Sequence, residues 1–200
     1  MSINVNAYVN RYRNARERVF DARNELDWKY KTILSLGFAL LTALAAQVRI
    51  YLGFTPVPIT LQVFTVLLAG VVLGKWWGGI SQSMYIGMGA AGLPVFSNFQ
   101  AGPETLMGVT GGYILGFLIS AFVIGHIVDT YPKARTVFPM IAVMFLGIGV
   151  IYTLGCVQLA LILSLTPEQA VLFGAAPFIG VDIAKAIGAA LAATVMLPKK

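Results

Sequence analysis

The chain has 200 residues, 58% of them apolar and 11% charged, against roughly 45–50% apolar and about 25% charged in soluble globular domains. That balance excludes an ordinary water-soluble domain and suits a chain whose solvent is mostly lipid. The net charge of +6 invites a nucleic-acid reading, but half of the basic residues precede Thr32 and most others sit just outside apolar runs, where cations meet lipid headgroups.

Residues 1–31 form a polar, basic N-terminal segment without the apolar centre of a signal peptide. Within it Tyr8, Tyr12, Ala15, Val19, Ala22 and Leu26 recur at spacings of four and three, which predicts a helix with a narrow apolar stripe. Arg11, Arg13, Arg16, Arg18 and Arg23 cover the other faces. Such a helix either lies solvated on a membrane surface or docks a partner.

Residues 32–200 read as one membrane domain. Apolar stretches fall at about 32–51, 59–73, 77–93, 106–127, 137–165 and 170–197. A helix needs roughly 20 apolar residues to cross about 30 Å of hydrocarbon, so the second and third are short. The expected fold is an all-α integral membrane protein, a six-transmembrane-helix bundle with both termini cytoplasmic. Charge supports that count: the connections on one side hold Lys75, then Lys133 and Arg135, then Lys199 and Lys200, whereas those on the other hold only Glu104 and Glu168. Arg49 is the exception. Small residues four apart, Ala39 and Ala43, Gly70 and Gly74, Gly108 and Gly112, Gly112 and Gly116, are spaced for close helix packing.

Several chemistries are missing. Gly70, Gly74 and Lys75 have one residue too few between the glycines for a nucleotide-binding loop, and Trp76 stands where its hydroxyl belongs. His126 is the only histidine and has no HExxH around it, Cys156 is the only cysteine, and no span pairs carboxylates at helical spacing. Neither an enzyme, a metal site nor a resident cofactor is expected.

Two features remain. Asp182 and Lys185 lie on one helix face inside the last apolar stretch, where an ionised group costs on the order of 2.5–3.5 kcal/mol. They form either a self-neutralising structural pair or a polar ligand site. The second feature is a pair of segments on the lysine-poor side. Residues 54–62, with Pro56 and Pro58, deliver Thr60 and Gln62 to the mouth of the second span. Residues 92–102 offer the amides of Asn98 and Gln100, and Phe54, Phe96, Phe99 and Tyr113 are available to wall an apolar pocket.

The runs FTPVPITLQ (54–62), AGLPVFSNFQAG (91–102), TGGYILGF (110–117) and FIGVDIAKA (178–186) resemble the BioY family, the biotin-specific S components of energy-coupling-factor (ECF) vitamin transporters. The resemblance covers about 33–197. It implies a high-affinity biotin-binding membrane subunit in the cell membrane, with biotin as cargo rather than cofactor. A transmembrane coupling protein and two cytosolic ATPases would energise it. The family's D-x-x-K falls on Asp182 and Lys185, and its polar loop position near Gln100, beside Asn98; Tyr113 lies in its GGY. Where some members carry an arginine after GGY this chain has Ile114, and Arg49 becomes the candidate for the biotin carboxylate. Ala39-x-x-x-Ala43 resembles the surface that docks the coupling protein. The alternatives are an S component or carrier for another small vitamin, or a non-transporting structural subunit.

Overall fold

The computed structural model describes residues 5–198, apart from the side chains of 5–9 and 19. Lys199 and Lys200, and the Tyr8 and Val19 side chains of the expected stripe, lie outside the described residues. The chain is almost entirely helical: α1 (Val5–Glu25), α2 (Trp28–Gln47), a two-residue strand pair β1 (Arg49–Ile50) and β2 (Ile59–Thr60), α3 (Gln62–Ala90), α4 (Pro103–Met107), α5 (Gly111–Thr130), α6 (Val137–Leu163), α7 (Pro167–Gly174) and α8 (Ile179–Met196). By length and composition α2, α3, α5, α6 and α8 can cross a membrane.

The first expected span, α2, starts four residues earlier than expected and stops at Gln47, because Val48 turns extended and the β-branched Ile50 and Ile59 pair across an antiparallel ladder, with Arg49 opposite Thr60. The prolines expected to stop helix, Pro56 and Pro58, lie in the loop of this hairpin.

The second and third apolar stretches are two limbs of α3, folded back on each other at Gly74. In an unbroken helix at 1.5 Å per residue Gln62 and Tyr85 would stand about 34 Å apart. Here the Gln62 amide donates to the Tyr85 hydroxyl at 2.7 Å. Gly74 has φ 79°, a left-handed conformation that glycine adopts without strain. The turn is held from α5: Asp129 accepts from the Lys75 backbone N–H at 3.0 Å and from Arg23 at 2.7 Å. A Cβ on Gly74 would lie 2.6 Å from Asp129 Oδ2, and one on Gly78 would lie 3.0 Å from Gly70 Cα, where the limbs touch. The small residues thus let backbones approach inside this chain. Ala39 does the same: it is 0% exposed, so the face expected to dock a coupling protein is turned into the core, with Ala43 packed beside it.

The fourth and the sixth expected spans each lose their first turns to a break. Gly108 interrupts the stretch at 106–127, separating α4 from α5, and Gln158 of α6 donates to the freed carbonyls of Leu106 and Gly108 at 2.8 and 2.7 Å. Residues 175–178 interrupt the stretch at 170–197, because Pro177 has no N–H to donate and crowds the preceding turn. The carbonyls this releases accept from elsewhere: Phe173 from Thr55 and Gly174 from Tyr113, both at 2.8 Å. Asp182 therefore stands in the first turn of α8, near one end of the bundle rather than midway through a long span.

At the opposite end α1 is bound to the bundle rather than free on a surface. Tyr12 and Arg16 donate to the carbonyls of Val195 and Thr194, each at 2.7 Å, and Phe20 lies between the guanidiniums of Arg23 and Arg135, each 4.3 Å from its ring. Gly74→Ala should lower the detergent unfolding midpoint, by about 1–3 kcal/mol of stability. Thermal denaturation of the two proteins, side by side, checks this.

Candidate functional site

A cavity of about 620 Å³ of atom-free space, its mouth included, opens at the end of the bundle where α8 begins. Its walls come from the β2 strand, both limbs of α3, the 90–102 segment, α5, α6 and α8. Most of the lining is apolar, with Phe96, Ile114, Phe117, Ile151 and Phe178 prominent. The charged residues among the described lining are Asp182 and Lys185.

These two do bond each other: Lys185 Nζ donates to Asp182 Oδ1 at 2.6 Å, with side chains only 10% and 4% exposed. They also reach further. Lys185 Nζ donates to the Thr60 carbonyl at 2.6 Å, and the Tyr152 hydroxyl donates to Asp182 Oδ2 at 2.7 Å. An ammonium has three N–H donors, so one remains beyond these two bonds. The pair is thus both anchored in the fold and set beside open space, which joins the two readings the sequence left apart.

Neutral polar groups complete the wall. Gln62 accepts from Thr60 Oγ1 at 3.1 Å and donates to the Tyr85 hydroxyl at 2.7 Å. Ser97 lines the cavity, and its Oγ is buried with no partner among the described residues. A buried hydroxyl without a partner is costly, and a bound ligand or water relieves that cost. The site combines an acid, a base, an amide, hydroxyls and aromatic walls, and it suits a small molecule with a compact polar head able to donate and accept, and an apolar body.

Of the residues singled out in the sequence, Asp182, Lys185, Tyr113, Thr60, Gln62 and Phe96 line this cavity. Tyr113 is there with its ring, since its hydroxyl is committed to Gly174. Arg49, Asn98 and Gln100 do not line it. Arg49 donates to Asn98 Oδ1 at 2.7 Å and to Gln47 Oε1 at 3.2 Å, while Gln47 also holds the Phe96 carbonyl and the Phe99 N–H. These bonds brace a short 3-10 turn (Ser97–Phe99) in which Asn98 and Phe99 have positive φ. The brace sets Phe96, 1% exposed, and Ser97 against the cavity. Gln100 is exposed and closes the turn through its backbone, accepting from the Phe96 N–H at 3.0 Å. Phe54 and Phe99 also point away, both more than 60% exposed.

Tyr85, Ser97 and Tyr152 also line the cavity, without a sequence motif that singles them out. The available signal was a hydroxyl-bearing side chain inside an apolar run, which marks Tyr85 and Tyr152 but many other positions as well.

The sequence profile described as the BioY family matches residues 18–199. The chain is 41% identical over 156 residues to the biotin transporter BioY of Thermotoga maritima, covering 78% of this chain and 89% of that one. It is 42% identical over 140 residues to the probable biotin transporter BioY of Methanothermobacter thermautotrophicus, covering 66% and 89%. Among solved structures it is similar to the S-component for biotin from an ECF-type ABC transporter, with a TM-score of 0.76 and 26% identity over 83% of this chain and 90% of that one.

Because Lys185 and Asp182 neutralise each other out of water, removing one partner should cost far more than removing both. Lys185→Met is expected to destabilise the unliganded protein by about 3–5 kcal/mol. Adding Asp182→Asn should recover much of that loss. Unfolding midpoints of the single and double variants, measured without ligand, provide the comparison.

Proposed function

Since the chain belongs to the BioY family, we propose that it is the biotin-binding S component of an ECF-type importer, a transport subunit and not an enzyme. The observation that carries this reading is the mutually bonded Asp182–Lys185 pair set beside open space in a mostly apolar cavity. Biotin has a ureido ring with two N–H donors and a carbonyl acceptor, a thioether ring and an aliphatic acid. The carboxylate of Asp182, steadied by Tyr152, accepts ureido N–H groups, and the remaining Lys185 proton serves the ureido carbonyl. Phe96, Phe117 and Phe178 cover the thioether ring, and Tyr113 adds its ring face. Ser97 and Tyr85 supply further hydroxyls. Arg49 and Asn98 act at one remove, as the brace of the turn that carries Phe96 and Ser97, with Gln100 closing that turn.

Reading each limb of α3 as a separate crossing gives six membrane helices, and an even number of crossings returns the chain to its starting side. Lys75, Lys133 and Arg135 all lie at the α1 end, so that end is cytoplasmic, with both termini, and the biotin cavity opens outward. The protein then sits in the cell membrane, taking energy from a coupling protein and two ATPases. With Ala39 buried, the surface for the coupling protein on α2 is its apolar outer face, where Leu36, Leu40 and Leu44 are exposed.

Labelled biotin should bind the purified chain in detergent. Asp182→Asn and Lys185→Ala should each abolish binding, while Tyr152→Phe should weaken it about tenfold, the worth of one hydrogen bond to a charged group. Arg49→Ala should leave most of the affinity. Absence of binding by folded wild-type protein, or displacement of biotin by excess thiamine or riboflavin, would refute this reading.

A further inference from the structure

A second cavity, of about 610 Å³, lies at the opposite end of the bundle, where the α1–α2 junction meets the Gly74 turn and the last turn of α5. Its charged lining consists of Arg23, Lys31, Lys75 and Asp129. Asp129 is fully engaged, accepting from Arg23 at 2.7 Å and from the Lys75 backbone N–H at 3.0 Å. That leaves two ammoniums. Lys31 Nζ donates to the Asn24 carbonyl at 2.8 Å, and Lys75 Nζ lies 5.6 Å from the Trp76 ring centroid. Among the described residues no carboxylate comes within ion-pair distance of either lysine. Glu25 and Asp27, the acids closest in sequence, do not line the cavity.

Two ammoniums on the walls of one recess, neither bonded to a carboxylate among the described residues, make the recess attractive to an anion. The rest of the lining identifies what kind of anion. Leu34, Leu73, Trp76 and Trp77 supply an apolar flank, and Trp76 is 61% exposed at the level where indoles meet headgroups. From Leu34 an exposed apolar face continues along α2 to Leu41, a track for an acyl chain. A soluble anion would gain nothing from that flank; a lipid uses both parts. Basic recesses between membrane helices are known seats of phospholipid headgroups.

We propose that this cavity seats the headgroup phosphate of an anionic phospholipid, between Lys31 and Lys75, with an acyl chain along α2. The site is remote from the Asp182–Lys185 cavity and independent of what that cavity binds. Bound there, the lipid would fasten the α1–α2 junction to the Gly74 turn.

Native mass spectrometry of the full chain, exchanged into detergent with equal phosphatidylglycerol and phosphatidylcholine, tests this. Wild-type protein should retain phosphatidylglycerol at least tenfold over phosphatidylcholine. Lys31→Gln/Lys75→Gln should retain the two lipids equally, and Lys31→Arg/Lys75→Arg should keep the preference, showing that charge rather than loss of fold is read. Equal retention by wild type, or an undiminished preference in the glutamine variant, would overturn the proposal. So would displacement of phosphatidylglycerol by millimolar inorganic phosphate, which would make the recess a site for soluble anions.

Discussion

The ammonium of Lys185 joins parts of the chain that are far apart in sequence. It donates to Asp182 on its own helix and to the Thr60 carbonyl of the β2 strand, while Asp182 is held in turn by Tyr152 of α6. In a solvent without water a charge can be placed only where partners already wait for it, so these bonds constrain three elements together. The β hairpin at 49–60 is thereby tied to α8, and the mouth of the cavity is set by the same contacts that balance its charge. A site assembled in this way is rigid at its polar end before any guest arrives, which reduces the entropy lost on binding.

The same demand for internal partners explains the irregular stretches. Where helix stops, at Gly74, Gly108 and Pro177, backbone groups are freed that lipid cannot satisfy. Each break is met by a side chain from elsewhere in the fold: Asp129 at the Gly74 turn, Gln158 below α4, and Thr55 of the hairpin loop with Tyr113 after α7. These polar residues lie in otherwise apolar sequence and have no part in a catalytic motif. Their work is to let short limbs and breaks exist within the bundle, and two of those breaks border the cavity. The break after α7 puts Asp182 at the start of a helix rather than within one, so its carboxylate sits toward a helix N-terminus, where negative charge is stabilised.

At the other end α1 closes the bundle. Arg16 and Tyr12 use the last free carbonyls of α8, and Arg23 shares Asp129 with the Gly74 turn. One carboxylate on α5 thus joins the N-terminal helix to the reversal between the two limbs of α3. The two ends of the molecule follow one logic with different outcomes: at one, a pair of opposite charges beside open space for a guest; at the other, unmatched lysines facing the surroundings.

Much of this was legible in the residues. Apolar runs separated by short polar connections expressed the bundle of membrane-spanning helices, because lipid tolerates few charges. Asp182 and Lys185 stood out because their burial is expensive unless something answers it. Neither signal depends on distant parts of the chain. What tertiary structure alone decided was the direction in which each polar side chain acts. Arg49, Asn98 and Gln100 have the right chemistry for a ligand but face a loop that needs bracing, and Ala39 has the right size for a partner but fills a gap in the core. Tyr152, Tyr85 and Ser97 entered the cavity wall because helices distant in sequence meet there. Periodicity and cost are local properties of a sequence; the partner a side chain meets is not, since it depends on which helices the packing brings within three ångströms or so of one another.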